Sequence, residues 1–137
     1  MGAALKALMG PAAKGFSANT VSRLKCIWAK EYEGWRDEPL GDDQWVYVWA
    51  DGIYSGLRGE EDKLCALVIV GVNAQFLAIE DGVRDSAKSW REVLLKLKDR
   101  GMNAPKLAVG DGAMGFWAAL DEVCPKTRHR EYRKLCV

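Results

Sequence analysis

Two aspartates, each followed by glycine, stand at the ends of apolar runs and could together bind a metal ion. Tyr47-Val48-Trp49-Ala50 leads into Asp51-Gly52, and Lys106-Leu107-Ala108-Val109-Gly110 leads into Asp111-Gly112. Open α/β sheets bind ligands beyond the carboxyl ends of their strands, and Mg²⁺ prefers oxygen ligands such as carboxylates. If the two strands are neighbours, Asp51 and Asp111 can bind the same divalent cation.

Ordinary structural roles also fit these acidic residues. Asp51 with Gly52 is typical of a turn at a strand end, and Asp111 can cap the helix that follows it. Because a cap uses one carboxylate oxygen, Asp111 can also bind an ion. Glu80 and Asp81 form another acidic pair, for which a polar strand-to-helix loop is favoured over an outer contact to the metal site.

The strands that carry the aspartates belong to a longer alternation of elements. The pattern predicts a helix beginning at Ser17 or Asn19 and, after a break, three strands, a helix, a strand and a helix. The first strand, apolar on both faces, is predicted to be central and covered on both sides. The order β-β-β-α-β-α predicts an α/β, ribonuclease H-like mixed sheet with an N-terminal helical arm, in which the first and fourth strands are adjacent. The predicted strands are residues 45–50, 64–72, 76–79 and 106–109.

Composition and length favour one folded domain with an appendage. The chain has 137 residues, of which 49% are hydrophobic and six are tryptophans, enough for a substantial core. We expect a helical arm over 1–36, a linker over 37–44, a partial catalytic core over 45–125 and a divergent basic tail over 126–137.

Cysteine spacing predicts the redox compartment. The four cysteines lie far apart and form no C-x-x-C pair, and no signal peptide or membrane span is evident. These features predict a reduced, cytoplasmic protein without a structural zinc site. The cysteines are Cys26, Cys65, Cys124 and Cys136.

Charge is divided into three blocks. Residues 1–36 carry six basic and two acidic residues, 37–125 carry nine and sixteen, and 126–137 carry five and one. Basic flanks around an acidic centre fit a carboxylate site with nucleic-acid contacts at its edges, although solvated ends fit equally well. In the arm, Ser22, Arg23 and Lys25 are candidate phosphate contacts within part of a helix-turn-helix unit, and a solvated helix face is the alternative.

Three ordered motifs resemble the catalytic core of Mutator-type transposases of bacterial insertion sequences. They occupy residues 47–54, 78–86 with 89–92, and 110–117, and residues 16–24 are similar to the end of that family's DNA-binding region. The resemblance implies DNA transposition at an Asp-Asp-Glu site that holds two Mg²⁺ or Mn²⁺ ions, with Asp51 as the first acid and Asp111 as the second. It also implies transposon ends and target DNA as partners, a homo-oligomer, and no membrane.

Departures from the family pattern lie towards the end of the chain. The third acid, a glutamate, is expected beyond the last residue, and Glu131 and Lys134 stand where the family has a Cys-x-x-His element. The pattern is expected to fail from about Arg130. We therefore expect a truncated transposase with little or no activity of its own; the alternative is a non-catalytic DNA-binding or dimerising remnant that modulates a full-length enzyme. A generic nucleotide-binding domain is disfavoured because the chain has no glycine-rich phosphate loop.

Overall fold

The computed structural model describes residues 17–41, 45–54, 64–72, 74–112 and 114–132. The chain divides into two compact units, residues 1–38 and 39–137. The start of the predicted arm, residues 42–44 of the predicted linker and the last five residues of the predicted tail lie outside the described residues. Among the helices of the described part, none is long and apolar enough to cross a membrane.

Helix α1 (Ala18–Asp37) forms the described part of the first unit. Ser17 is its N-cap, as one of the two predictions had it, and the Ser17 side chain accepts a hydrogen bond from the Thr20 backbone N–H at 3.2 Å. The helix ends before Pro39, because a residue that precedes proline is disfavoured in the helical conformation. None of the helix residues is buried, and Trp28 is 58% exposed.

A five-stranded mixed sheet forms the second unit. Its strands are β1 (Tyr47–Tyr54), β2 (Leu64–Gly71), β3 (Phe76–Val83), β4 (Leu107–Asp111) and β5 (Arg128–Tyr132). They lie in the order β3-β2-β1-β4-β5. β1 is antiparallel to β2 and parallel to β4, and β2 is antiparallel to β3. The predicted adjacency of the first and fourth strands is confirmed, and with it the ribonuclease H-like α/β class.

Helices α2 (Ala87–Asp99) and α3 (Phe116–Val123) pack on one face of this sheet, which we call the inner face. Trp90 and Leu97 of α2 are fully buried. Ser86 caps α2, and Gly101 ends it with a φ of 98° that favours glycine. Trp90 meets Phe116 of α3 edge to face, with ring centroids 5.2 Å apart.

The opposite face, which we call the outer face, shows that β1 is not covered on both sides within the described residues. Val48 and Ala50 are buried against the helices, whereas Trp49 and Ile53 are 50% and 54% exposed. The apolar run of β1 predicts burial on both faces, and that prediction is wrong for the described part of the chain. α2 and α3 pack on the inner face, and the side chains of Trp49 and Ile53 on the outer face remain accessible.

Strand β5 corrects the interpretation of the basic tail as merely a solvated end. Residues 128–132 pair in parallel with β4, from Leu107 opposite Arg128 to Asp111 opposite Tyr132. The strand is exposed along most of its length and carries no apolar alternation, so the period-2 signal is absent. Backbone pairing at the sheet edge determines its conformation.

The predicted linker also contains a core residue. Leu40 is buried in the hydrophobic cluster of the second unit, and its backbone N–H donates to the Arg100 carbonyl oxygen at 2.9 Å. This hydrogen bond joins the segment before β1 to the end of α2. The start of the second unit therefore includes Leu40.

Candidate metal centre at the ends of two parallel strands

The parallel pairing of β1 and β4 brings Asp51 and Asp111 to equivalent positions. Ala50 is the register partner of Gly110, and each aspartate is the next residue along its strand. Neighbouring strands lie about 4.8 Å apart, and the alternation of the strands assigns both positions to the outer face. The two candidate ligands are therefore neighbours on the sheet, although they lie sixty residues apart in the sequence.

Glycine at position 110 permits close packing next to the second aspartate. A Cβ at Gly110 would lie 3.1 Å from the backbone oxygen of Ala50 and 2.7 Å from the side chain of Met114. Any larger residue would therefore press on the neighbouring strand. Glycine therefore permits the close approach of β1 and β4 next to the two aspartates.

Asp111 is held through its backbone by α3, and it does not cap that helix. The Trp117 indole N–H donates to the Asp111 carbonyl oxygen at 3.0 Å. Gly115 is the N-cap of α3 and makes no side-chain capping bond. The capping alternative for Asp111 is therefore wrong, because the helix begins five residues after the strand rather than directly at its end.

Arg84 is a site residue that the sequence analysis missed. Its Nη2 atom donates to Oδ2 of Asp111, and both side chains are largely shielded, at 14% and 17% exposure. Burial lowers the Arg84 pKa, but hydrogen bonds to Asp111 and Tyr54 outweigh that effect and raise it above its ordinary value. The guanidinium is therefore a fixed positive charge on one of the two carboxylates.

The Arg84 side chain lies across the glycine that follows Asp51. A Cβ at Gly52 would stand 2.6 Å from Cγ and 2.9 Å from Cδ of Arg84. The Asp-Gly dipeptide of the first motif thus serves a packing role, since only glycine leaves room for this arginine. A basic residue directly after a strand end, near an Asp-Gly pair, is the sequence signal that could have indicated the contact.

Glu80 and Asp81 lie inside β3 and not in a strand-to-helix loop. The strand continues to Val83, four residues beyond its predicted end. Glu80 pairs with Lys96 of α2 at 3.1 Å, and Asp81 is exposed opposite Ala66 of β2. The loop interpretation is wrong because pairing with β2 extends the strand through these polar residues.

The donor chemistry of the aspartate pair fits a hard divalent ion, but the number of donors is small. Two carboxylates are suitable ligands for Mg²⁺ or Mn²⁺, which take six ligands and commonly retain several waters. Oδ1 of Asp51 is shielded from solvent. Within the described segments, no group of three or more His, Cys, Asp or Glu residues is placed to hold a metal. Within those segments the remaining ligands would be water or neutral oxygen groups rather than a third carboxylate, imidazole or thiolate.

His129 and Tyr132 show what β5 adds around the strand ends. The His129 ring packs against Trp117 at 4.9 Å, and its Nε2 lies 3.0 Å from Oδ1 of Asp121. Tyr132 packs against Trp49, with ring centroids 6.1 Å apart. His129 is exposed, and its neighbours are an aromatic ring and an exposed helix acid.

The candidate phosphate contacts belong to the first unit. Ser22, Arg23 and Lys25 are all exposed on α1, so their side chains are accessible to a ligand. No described contact tests their role, which remains a prediction.

The family model and the curated relatives that match this chain are all transposases. The family model described as "Transposase, Mutator family" matches residues 2–133. The match continues past Arg130, where the sequence analysis expected divergence.

Curated relatives match almost the whole chain. The chain is 44% identical over 131 residues to the transposase for insertion sequence element IS6120 of Mycolicibacterium smegmatis, covering 93% of the chain and 40% of that protein. It is 44% identical over 129 residues to the transposase for insertion sequence element IST2 of Acidithiobacillus ferrooxidans, covering 90% of the chain and 44% of that protein. The chain thus spans less than half the length of these relatives.

Solved structures with partial similarity are viral integrases. One is the HTLV-2 integrase catalytic core domain in complex with magnesium, at 12% identity and a TM-score of 0.45, covering 71% of this chain and 65% of that one. Another is the simian T-cell lymphotropic virus intasome in complex with the PP2A regulatory subunit B56 gamma. Its match has 13% identity and a TM-score of 0.47, and covers 87% of this chain and 45% of that one.

Proposed function

Because this chain belongs to the Mutator family of transposases, we propose that it supplies the first two acids of a DNA cleavage and strand-transfer site. Asp51 and Asp111 are the proposed ligands of Mg²⁺ or Mn²⁺. The observation that carries the proposal is the register of β1 and β4, which makes the two aspartates neighbours at the strand ends. The family match, whose range of residues 2–133 includes both aspartates, supports the same assignment.

The bound ions would activate the attacking oxygen and stabilise the leaving oxygen of a phosphodiester. The chain's own contribution is to hold two carboxylates at fixed positions on a rigid sheet. β1 is central in that sheet, and the Asp111 backbone is held by Trp117. Rigid placement matters because a displacement of ~1 Å can cost on the order of 10²-fold in rate.

We propose further that the isolated chain has little or no strand-transfer activity. The described residues place two candidate acid ligands, Asp51 and Asp111, at the strand ends. The third ligand expected from the family resemblance is a glutamate outside this chain. Incubation of the chain with Mn²⁺ and a DNA duplex that carries the ends of its element should give no cleaved strand. Cleavage at those ends by the wild-type chain, lost in Asp51→Asn, would contradict this proposal.

Grafting into a full-length relative tests the assigned acids. Residues 2–133 would replace the matching segment of the Mycolicibacterium smegmatis transposase, and transposition of an element with that enzyme's ends would be counted in cells. We expect the graft to transpose, and Asp51→Asn or Asp111→Asn to lower the frequency by at least about 100-fold, since even the loss of groups that orient metal ligands commonly costs 10–100-fold.

The matched control for this graft is Glu122→Gln. Glu122 is an exposed acid that pairs with the equally exposed Arg91 at 3.3 Å, so its loss should leave transposition within about twofold. Equal losses in all three variants would mean that the graft depends on overall charge or folding. Retention of transposition in Asp51→Asn or Asp111→Asn would refute the assignment.

The exposed basic side chains of α1 support a second candidate function, DNA binding without catalysis. Arg23 and Lys25 lie on a helix that belongs to a separate compact unit, and phosphate contacts by such residues are salt-dependent. We expect the double variant Arg23→Gln, Lys25→Gln to weaken duplex binding. For each basic side chain that touches a phosphate, its removal should also flatten the log-log salt dependence by about one unit of slope.

The aspartate variants separate the two candidate functions. If Asp51→Asn leaves both DNA binding and inhibition of a co-expressed full-length relative unchanged, the remnant function is supported. That inhibition would also support the proposed homo-oligomer. Unchanged DNA binding in the Arg23, Lys25 double variant would remove α1 from the nucleic-acid interface.

A further inference from the structure

We propose that Arg84 is a displaceable counter-ion of Asp111, and that a divalent cation binds at the strand ends in competition with it. This inference rests on the proposed metal site and assigns a positioning residue to it. Arg84 contacts the same carboxylate that the ion needs, through Nη2 on Oδ2. Ion binding at Asp111 would therefore be coupled to the release of Arg84.

The backbone of Arg84 is anchored independently of its side chain. Its carbonyl oxygen accepts hydrogen bonds from the Trp90 indole N–H at 2.7 Å and from the Gly115 backbone N–H at 3.1 Å. These two donors come from α2 and from the start of α3. Release of Asp111 would therefore need a rotation of the arginine side chain and no loss of helix packing.

The guanidinium is incompletely satisfied where it lies. Nε of Arg84 is buried and has no hydrogen-bond partner among the described residues. A bidentate arginine-carboxylate pair, which uses two N–H donors in parallel, would be stronger. The contact with Asp111 is thus weaker than the strongest pair that these two side chains can form, which lowers the cost of displacement.

A second contact, with the Tyr54 ring, is available to the guanidinium after its release from Asp111. Cζ of Arg84 already lies 6.0 Å from the ring centroid of Tyr54, at the end of β1. Tyr54 is 48% exposed, so the cation can stay over the aromatic face while its other side meets water. Gly52 leaves the path between these positions free of a side chain.

Competition predicts the sign of the effect of removing Arg84. An opposite charge in contact with a carboxylate changes its proton affinity by about 1–3 pKa units, and a divalent ion competes for the same negative charge. Removing the guanidinium should therefore tighten ion binding. If Arg84 served merely to hold Asp111 in place, its removal would weaken ion binding.

The test is a Mn²⁺ titration of the whole chain, followed by water-proton relaxation and calorimetry. We expect Arg84→Met to bind Mn²⁺ about tenfold more tightly than the wild-type chain, the lower end of the range above. Arg84→Lys, which keeps the charge, should lie between the two. The double variant Arg84→Met, Asp111→Asn should lose the tightened binding, which assigns the gain to this carboxylate.

A second measurement uses the wild-type chain and does not depend on the folding of a variant. In a Mg²⁺ titration followed by NMR, the Nε–H resonance of Arg84 should shift with the same midpoint as ion binding. That shift should be absent in Asp111→Asn.

The outcomes separate this inference from the proposed function. Wild-type binding of Mn²⁺ that is lost in Asp51→Asn, with equal or weaker binding in Arg84→Met, would overturn the inference and leave the metal site standing. A static Arg84 resonance during Mg²⁺ binding would also overturn it. Absence of ion binding in the wild-type chain and in every Arg84 variant would overturn the metal site itself.

Discussion

The inner and outer faces of the sheet differ in what covers them and in what they contribute. The inner face packs Val48 and Ala50 against α2 and α3, with Trp90 and Phe116 at the centre. The outer face carries exposed Trp49 and, at the strand ends, the two aspartate positions. Burial on one face fixes strand order and register, and the register then determines which polar side chains meet on the other face.

This division means that stability and chemistry should respond to different substitutions. Inner-face changes remove buried contacts and should unfold the second unit. Outer-face changes and changes at the strand ends should alter binding with smaller effects on folding.

Trp90→Ala should produce the largest loss of stability. Trp90 is fully buried between the sheet and α3, and such a truncation typically costs about 3–5 kcal/mol. Trp49→Ala on the outer face removes the same side chain from a half-exposed position and should cost less than about 1 kcal/mol. Urea denaturation of both variants measures the difference, and similar losses would show that Trp49 is also part of a core.

Gly115→Ala should destabilise the second unit, because Gly115 packs directly against the backbone at the start of α2. A Cβ at this position would meet the backbone oxygen of Asp85 at 2.7 Å and the backbone carbon of Ser86 at 2.5 Å. Overpacking against backbone costs about 1–3 kcal/mol. Nothing lies near a Cβ at Gly34 in α1, so Gly34→Ala should instead stabilise that helix by about 1 kcal/mol. Thermal denaturation that shows no loss for Gly115→Ala would contradict the observed packing.

Asp111→Asn should have a moderate effect on folding because it leaves Arg84 with a neutral partner. Both side chains of this pair are mostly shielded, and loss of a charged hydrogen-bond partner costs about 1–3 kcal/mol. Glu122→Gln breaks the exposed pair with Arg91 and should change stability by less than about 0.5 kcal/mol. Urea midpoints of the two variants measure the difference in stability. A larger loss of stability in Glu122→Gln than in Asp111→Asn would contradict the prediction.

The smallest expected effect is a difference in alkylation rate among the cysteines, and it is measured without any substitution. Burial raises the pKa of Cys65 and of Cys124, which lowers the thiolate fraction at a given pH, whereas Cys26 is exposed on α1. At pH 8, iodoacetamide should therefore modify Cys26 well before the two buried thiols. Mass spectrometry of the peptides measures each rate, and early modification of Cys65 would show that β2 opens readily.

Much of the fold could be predicted from the sequence, because caps and apolar periods lie within the elements that they indicate. Ser17, one of the two predicted starts, caps α1, and the predicted order of three strands, a helix, a strand and a helix is observed. The adjacency of β1 and β4 followed from element order. The signal for the cap lay within a few residues of the helix start, whereas the adjacency of β1 and β4 depended on the order of all the elements between them.

Features that depend on contacts distant in the chain were missed. Arg84 meets Asp111 across 27 residues, and no local period encodes such a pair. β5 has the charged sequence Arg-His-Arg-Glu-Tyr, so the backbone of β4 provides the pairing that its composition does not indicate. The C-terminal end of β3 was wrongly predicted for the same reason, since pairing with β2 extends the strand through Glu80 and Asp81.

Crystals of the wild-type chain grown with saturating Mn²⁺ test the central claim most directly, through anomalous scattering recorded at the manganese edge. Our account predicts a manganese peak within coordination distance of both the Asp51 and the Asp111 carboxylates. Manganese bound elsewhere only, or carboxylates turned away from each other with no shared ion, would contradict it.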